Sequence, residues 1–340
     1  KDMDIARSIQ EVTEEIMLKM ANHVYEVTKK ENLCLAGGVA LNCVGNGKIL
    51  RESKFKQIWI QPSAGDAGGA LGVALFIWYR YLNNQRESNN TDDHQKGSYL
   101  GPQYSDEHIE DFLIKKGIPY EKSDPSDLPK RAAQLIDKQK VLGLFDGRLE
   151  FGPRALGSRS IIADARSEKM QSLINLKIKY RESFRPFAPS VLEERASEYF
   201  DLNQTSPYML LVSPVRMDKL TGEPDNKSED IRERLSVRRS LIPAVTHVDN
   251  SARIQTVSKK TKPVYYRIIQ EFYEQTGCPV IINTSFNVRG EPIVRTPEDA
   301  YRCFMRTDMD YLILGNCICD KAKQPQSEKW REKDISSVLD

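Results

Sequence analysis

Residues 57–82 read QIWIQPSAGDAGGALGVALFIWYRYL. Gln57 to Ile60 is a short apolar run suited to a strand, and Gln61 to Gly69 is a turn of proline, serine and glycine. From Ala70 to Leu82 the apolar residues recur at helical spacing. The same succession occurs just upstream. Asn32 to Ala36 reads as a buried strand, Gly37-Gly38 as its turn, and a second helical stretch runs to about Leu50. Before it, Ile5, Ile9, Val12, Ile16, Met20, Val24 and Val27 mark one helix over 4–30. Two strand–glycine turn–helix units in a row predict an α/β fold. Its sheet should be mostly parallel, with ligand-facing loops at the carboxyl ends of the strands.

Working outward, residues 83–97 (NNQRESNNTDDHQKG) are polar and read as a linker, which divides a unit at 1–82 from one at 98–340. Beyond it, helices are expected at 105–117, 127–137, 167–178, 262–275 and 296–306. Strands are expected at 141–145, 160–164, 208–213, 253–257, 279–283 and 311–314, a mixed α+β pattern. Phe184 to Pro189 is too rich in proline for a helix. The charged stretch 216–240 reads as an exposed insertion.

Lysine and arginine total 50 against 48 acidic residues, so the net charge is +2 and no bulk field draws the chain to nucleic acid or membrane. Cysteines 34, 43, 278, 303, 317 and 319 form no disulfide framework. Histidines 23, 94, 108 and 247 complete no zinc pattern. This usage suits a reduced, cytoplasmic protein. No apolar run approaches the roughly 18 residues of a membrane helix, and no signal peptide is visible. The start at Lys1-Asp2-Met3, directly into a helical pattern, suggests a piece of a longer chain.

Gly37 and Gly38, with Asn42 behind them, place bare amides at a helix start, a geometry that suits a phosphate and equally a tight turn without ligand. Asp66 sits on the second glycine turn, where it would hold a metal, cap the following helix, or do both. The second unit carries more. Glu150-Phe151-Gly152-Pro153-Arg154-Ala155-Leu156-Gly157-Ser158-Arg159-Ser160 sets two arginines in a glycine turn between strands. Lys179 to Phe187 mixes cations with prolines and aromatics, Arg253 enters a strand, and an apolar strand runs out into Asn283-Thr284-Ser285-Phe286-Asn287. Guanidinium forks match phosphate or carboxylate oxygens in pairs. Four such loops at strand ends are expected to converge on one polyanion site. The competing reading makes them salt-bridge partners within a crowded fold.

Longer motifs carry a family likeness: AGGVALN (36–42), PSAGDAGGALGVAL (62–75), EFGPRALGSRSI (150–161), FRPFAPS (184–190), ARIQTV (252–257) and NTSFNVRGEPIV (283–294). Through them nearly the whole chain resembles the NodU/CmcH-type O-carbamoyltransferases. The resemblance implies the C-terminal half of an actin-like, sugar-kinase-like ATPase module. After it would come an α+β module resembling threonylcarbamoyl-adenylate synthase. It further implies that ATP, accompanied by Mg²⁺, and carbamoyl phosphate give carbamoyl-adenylate. The carbamoyl group would then pass to a hydroxyl of a small-molecule or sugar acceptor. Carried onto matching positions, Arg154, Lys179, Arg185, Arg253 and Ser285 would be catalytic, with Arg159, Thr284 and Asn287 as neighbours. Gly37, Gly38 and Asn42 would line the nucleotide, and Asp66 would ligate a divalent metal, with iron expected.

One departure stands out. The family's first module opens with a further half that supplies an H-x-x-x-H metal motif, and nothing here matches it. His23 has no histidine four residues away. The adenylate-forming step is therefore the one expected of this sequence alone. Transfer to tRNA or a protein thiol, and a non-catalytic nucleotide-binding module, are the rival readings. The near-neutral charge speaks against RNA, and a homodimer is left open.

Overall fold

The structure, a computed structural model, describes residues 2–89, 93–221 and 237–325. It opens with α1 (Asp2–Thr28), β1 (Asn32–Leu35), α2 (Cys43–Glu52), β2 (Gln57–Ile60) and α3 (Gly68–Phe76), which runs on as a wider turn over Ile77–Tyr81. β1 and β2 pair in parallel, Leu35 opposite Ile60, as the glycine-turn pattern predicts. The apolar stripe of α1 forms a helix but is not buried: Ile9, Val12, Ile16, Met20 and Val27 are exposed. Among the described residues no helix is long and apolar enough to cross a membrane.

The rest of the chain builds one nine-stranded mixed sheet. In chain order its elements are α4 (Asp106–Lys115), β3 (Glu121–Lys122), α5 (Leu128–Asp137), β4 (Leu142–Phe145), β5 (Arg159–Asp164), α6 (Met170–Lys177), β6 (Ala188–Leu192), α7 (Ala196–Tyr199), β7 (Leu211–Pro214), β8 (Ser251–Val257), α8 (Pro263–Thr276), β9 (Val280–Ser285), α9 (Pro297–Arg306), β10 (Tyr311–Leu314) and β11 (Cys317–Asp320). The spatial order is β3-β11-β10-β4-β5-β9-β6-β8-β7. β4, β5 and β6 are buried along their whole length, so none shows the alternation of a strand with one face in water. Three strands went unread. β3 and β11 are short. β6 overlaps the end of the proline-rich run: its ladder with β9 begins at Ala188, and its ladder with β8 at Ser190, one residue past Pro189. Of the expected insertion at 216–240, residues 222–236 lie outside the described residues, as do 90–92 of the linker.

The unit at 1–82 does not stand apart. Ile49, Phe55, Ile58 and Ile60 share one apolar cluster with Leu156, Ala188 and Tyr208 to Leu211. α2 seats directly on backbone: Asn46 Nδ2 donates to the Leu210 carbonyl at 3.1 Å and Arg51 Nη1 to the Val212 carbonyl at 2.9 Å. A Cβ on Gly47 would come within 2.1 Å of the Val212 oxygen. That closeness is why glycine stands there.

Candidate functional site

Sheet register gathers the loops that the sequence scatters. β5 runs antiparallel to β9 with Ser160 opposite Ser285, so the end of the arginine turn lies beside the hydroxyl-rich end of β9. Ala188 faces Asn283, Ser190 faces Gln255, and Val212 faces Arg253. These strand ends wall a cavity of about 350 Å³ lined by Arg154, Arg181, Arg185 and Arg253, with no carboxylate in its lining. A larger cavity of about 570 Å³ between β1–β2 and residues 204–211 has no cationic side chain. A third, of about 500 Å³, sets Arg195, Lys259 and Arg267 among Glu194, Glu271 and Glu274, so of the three the smallest alone offers cations without carboxylates.

The turn holding Arg154 is clamped from behind. The buried Glu150 carboxylate accepts at one oxygen from the amides of Leu156 (2.7 Å), Ser158 (2.7 Å) and Arg159 (3.3 Å). Gly157, at φ +105°, passes so close to Tyr265 that a Cβ would sit 2.3 Å from its ring. Arg154 itself keeps its Nε buried and without a partner among the described residues. Burial, with Arg154 adding to it, pulls the Arg253 guanidinium down to about 10, and Arg253 also meets the Cys43 thiol. Arg185 pairs with Glu182 at 2.9 Å. Arg181 is held by Asn175 Oδ1 at 2.7 Å, and burial followed by Arg185 lowers its pKa.

Lys179 reaches the site through its neighbours. Its Nζ donates to the carbonyls of Ser285 (2.6 Å) and Asn287 (2.9 Å) and to Asn287 Oδ1 (2.6 Å), and lies 3.2 Å from Ser285 Oγ. Ser285 Oγ donates in turn to Asn287 Oδ1 at 2.7 Å. Burial pulls the Lys179 ammonium down to about 7, and Arg181 adds to the shift. An anion bound beside it would restore the proton. A group whose pKa rises on binding takes up protons at any pH between its free and bound values. Calorimetric binding of inorganic pyrophosphate at pH 8 should therefore show a Tris-minus-Hepes enthalpy difference that changes in Lys179→Met, the comparison with wild type cancelling the ligand's own ionisation. The same difference in both proteins would mean that Lys179 takes up no proton on binding.

Thr284 and Ser285 line the cavity, and Asn287 stands behind them on Lys179. Arg159 is not among the lining residues. It is fully buried, stacked 3.4 Å from the centre of the Phe145 ring, and its Nη1 donates to the carbonyls of Gly147 (3.2 Å) and Ser158 (3.0 Å). The alternation of strand β5 points it to the other side from Ser160. The cavity also holds residues the sequence reading passed over. Arg181 was visible inside the Lys179–Phe187 run, and Asn283 at the end of an apolar strand. Cys43 and His247 carried no signal at all. Burial lowers the His247 pKa, Asp249 opposes it, and Arg253 adds to it.

Gly37 (φ +98°) donates to the Ala64 carbonyl at 2.9 Å, which joins the two glycine turns of the first unit side by side. A Cβ on Gly37 or Gly38 would meet nothing within 4 Å. Asn42 serves as cap of α2, accepting from the Gly45 amide at 3.1 Å, and exchanges bonds with Gln10. Asp66 is exposed and does not cap α3, whose N-cap position is Ala67. Among the described residues no three His, Cys, Asp or Glu gather to hold a metal ion. A lone exposed carboxylate does not fit a divalent metal centre, so no step is routed through one.

Comparison with known proteins identifies the family. The family models described as "Carbamoyltransferase C-terminus" and "Carbamoyltransferase N-terminus" match residues 133–321 and 1–75. An uncharacterized protein of Synechocystis sp. is 56% identical across 98% of this chain and 55% of its own length. Nodulation protein NolNO of Sinorhizobium fredii is 41% identical across 98% of this chain and 46% of its own. Nodulation protein NolO of Bradyrhizobium diazoefficiens is 39% identical across 94% and 54%. The chain belongs to the carbamoyltransferase family, which bears out the likeness read from the motifs. It spans about half the length of the curated relatives it matches. A crystal structure of full-length HypF in its phosphate- and nucleotide-bound form is 16% identical and covers 58% of this chain and 22% of that one. Its TM-score of 0.36 is too low to carry an argument about fold or ligands.

Proposed function

We propose that this chain activates carbamoyl phosphate with ATP for transfer to a hydroxyl of a small-molecule or sugar acceptor. The observation that carries the reading is the cavity lined by four arginines and no carboxylate. In balanced form, water cleaves the mixed anhydride of carbamoyl phosphate to carbamate, orthophosphate and a proton. A carbamate oxygen then attacks the α-phosphorus of ATP, the new P–O bond gives carbamoyl-adenylate, and pyrophosphate leaves. Each step moves negative charge among phosphate oxygens. Preorganised guanidinium groups stabilise that charge without reorganising. Arg154, Arg185 and Arg253 would hold the phosphates. Lys179, braced by Asn287, would set Ser285 against them.

The adjoining glycine turns would take a second nucleotide-phosphate group at Gly37, Gly38 and Gly69, where a Cβ would meet nothing within 4 Å. The subsequent attack of an acceptor hydroxyl on the carbamoyl carbon releases AMP. We place the protein in the cytoplasm on its six free thiols. The deciding measurement is carbamoyl-phosphate-dependent exchange of labelled pyrophosphate into ATP. Exchange that requires both substrates is expected, and its absence from folded protein overturns the reading.

A further inference from the structure

The arginines account for phosphate, but not for what separates a carbamoyl from an acetyl group, an NH₂ in place of a CH₃. Asn283, on β9 in the cavity wall, is 1% exposed. Its Nδ2 donates to the Ala155 carbonyl at 3.1 Å and to Gln255 Oε1 at 2.7 Å. A backbone carbonyl can only accept, so the Asn283 amide cannot be turned over. Gln255 is fixed in the same way, because its Nε2 donates to the Leu156 carbonyl at 2.9 Å. Its Oε1 also accepts from Ser190 Oγ at 2.6 Å, and Tyr265 donates to Ser190 at 2.8 Å.

Every bond in this buried network thus has one direction, and together they leave Asn283 Oδ1 as an acceptor without a partner among the described residues. Buried polar groups are rarely left so. The other unpartnered group in this wall is Arg154 Nε, a donor, one residue from the carbonyl that Asn283 holds. An orphan donor and an orphan acceptor in one cavity wall together complement a planar group carrying C=O and NH₂. We infer that Asn283 Oδ1 accepts a hydrogen bond from the carbamoyl NH₂ and selects carbamoyl phosphate over acetyl phosphate. The inference rests on the reading of the cavity as a carbamoyl phosphate site.

Pyrophosphate exchange with each acyl phosphate tests it. Wild-type protein should use carbamoyl phosphate at least about 100-fold better than acetyl phosphate, because a site built to bind an N–H rejects the analogue lacking it. In Asn283→Leu, kcat/KM for carbamoyl phosphate should fall at least about tenfold and the preference should shrink by a similar factor. Binding of inorganic pyrophosphate, carried by the arginines, should persist and report that the variant is folded. An unchanged preference in folded Asn283→Leu overturns the inference and leaves the carbamoyl phosphate reading standing. Equal use of the two donors by wild-type protein, a measurement that needs no variant, does the same. No wild-type exchange with carbamoyl phosphate overturns both.

Discussion

Arg154→Ala should lower carbamoyl-phosphate-dependent pyrophosphate exchange by about 10²–10³-fold, the loss typical of removing one preorganised donor to developing charge. The expectation is large because Arg154 lies in a wall free of carboxylates and keeps a buried Nε that no group among the described residues engages. For the same reason the fold should hardly notice. No intramolecular bond of that Nε is lost, and Glu150 continues to hold the turn through three amides. The unfolding free energy from urea titration should stay within about 0.5 kcal/mol of wild type. Wild-type exchange in the variant would take Arg154 out of the site. Parallel losses of exchange and stability would make it a structural residue.

Gly47→Val is expected to have the largest effect on stability, about 3 kcal/mol or more, read from denaturant unfolding. The Val212 carbonyl would lie 2.1 Å from the new Cβ, and a backbone oxygen inside a sheet cannot step aside as a flexible side chain would. α2 would have to lift, breaking the Asn46 and Arg51 bonds to the Leu210 and Val212 carbonyls. Because Cys43 and Val44 at the start of α2 also line the arginine cavity, pyrophosphate binding should weaken along with stability. A variant of wild-type stability would mean that α2 is not seated on β7 as described. Loss of stability with unchanged binding would mean that α2 does not help to shape the anion site.

Much of the architecture could be read from local pattern. The strands at 57–60 and 311–314 fall where their apolar runs predict. The helix expected at 296–306 is found at 297–306, where Thr296 and Asp299 form a reciprocal cap around a proline. β6 escaped because prolines in Phe184–Pro189 argue against regular structure, yet Pro189 itself stands opposite Ile282 in the ladder with β9. β3 is two residues long and leaves no periodicity to detect. Arg154, Arg185, Arg253, Thr284 and Ser285, proposed from loop chemistry and family likeness, do line one cavity. Arg159 shares the same turn yet stacks on Phe145 instead, a difference that depends on which face of β5 it occupies.

What the sequence determined by itself is the set of parts: the glycine turns, the buried strands, the basic loops and the family. These follow from short-range rules, since strand and helix periodicity, turn chemistry and motif identity all act within a few residues. The tertiary structure alone decided which parts meet. Register of β5, β6 and β8 around β9 brought together residues about 130 positions apart. The seating of α2 added Cys43 and Val44 from the other unit. The direction of the Asn283 amide depends on a chain of hydrogen bonds through Ala155, Gln255, Ser190 and Tyr265. No local pattern encodes that direction, because a side-chain rotor is set by its partners in space and not by its neighbours in sequence.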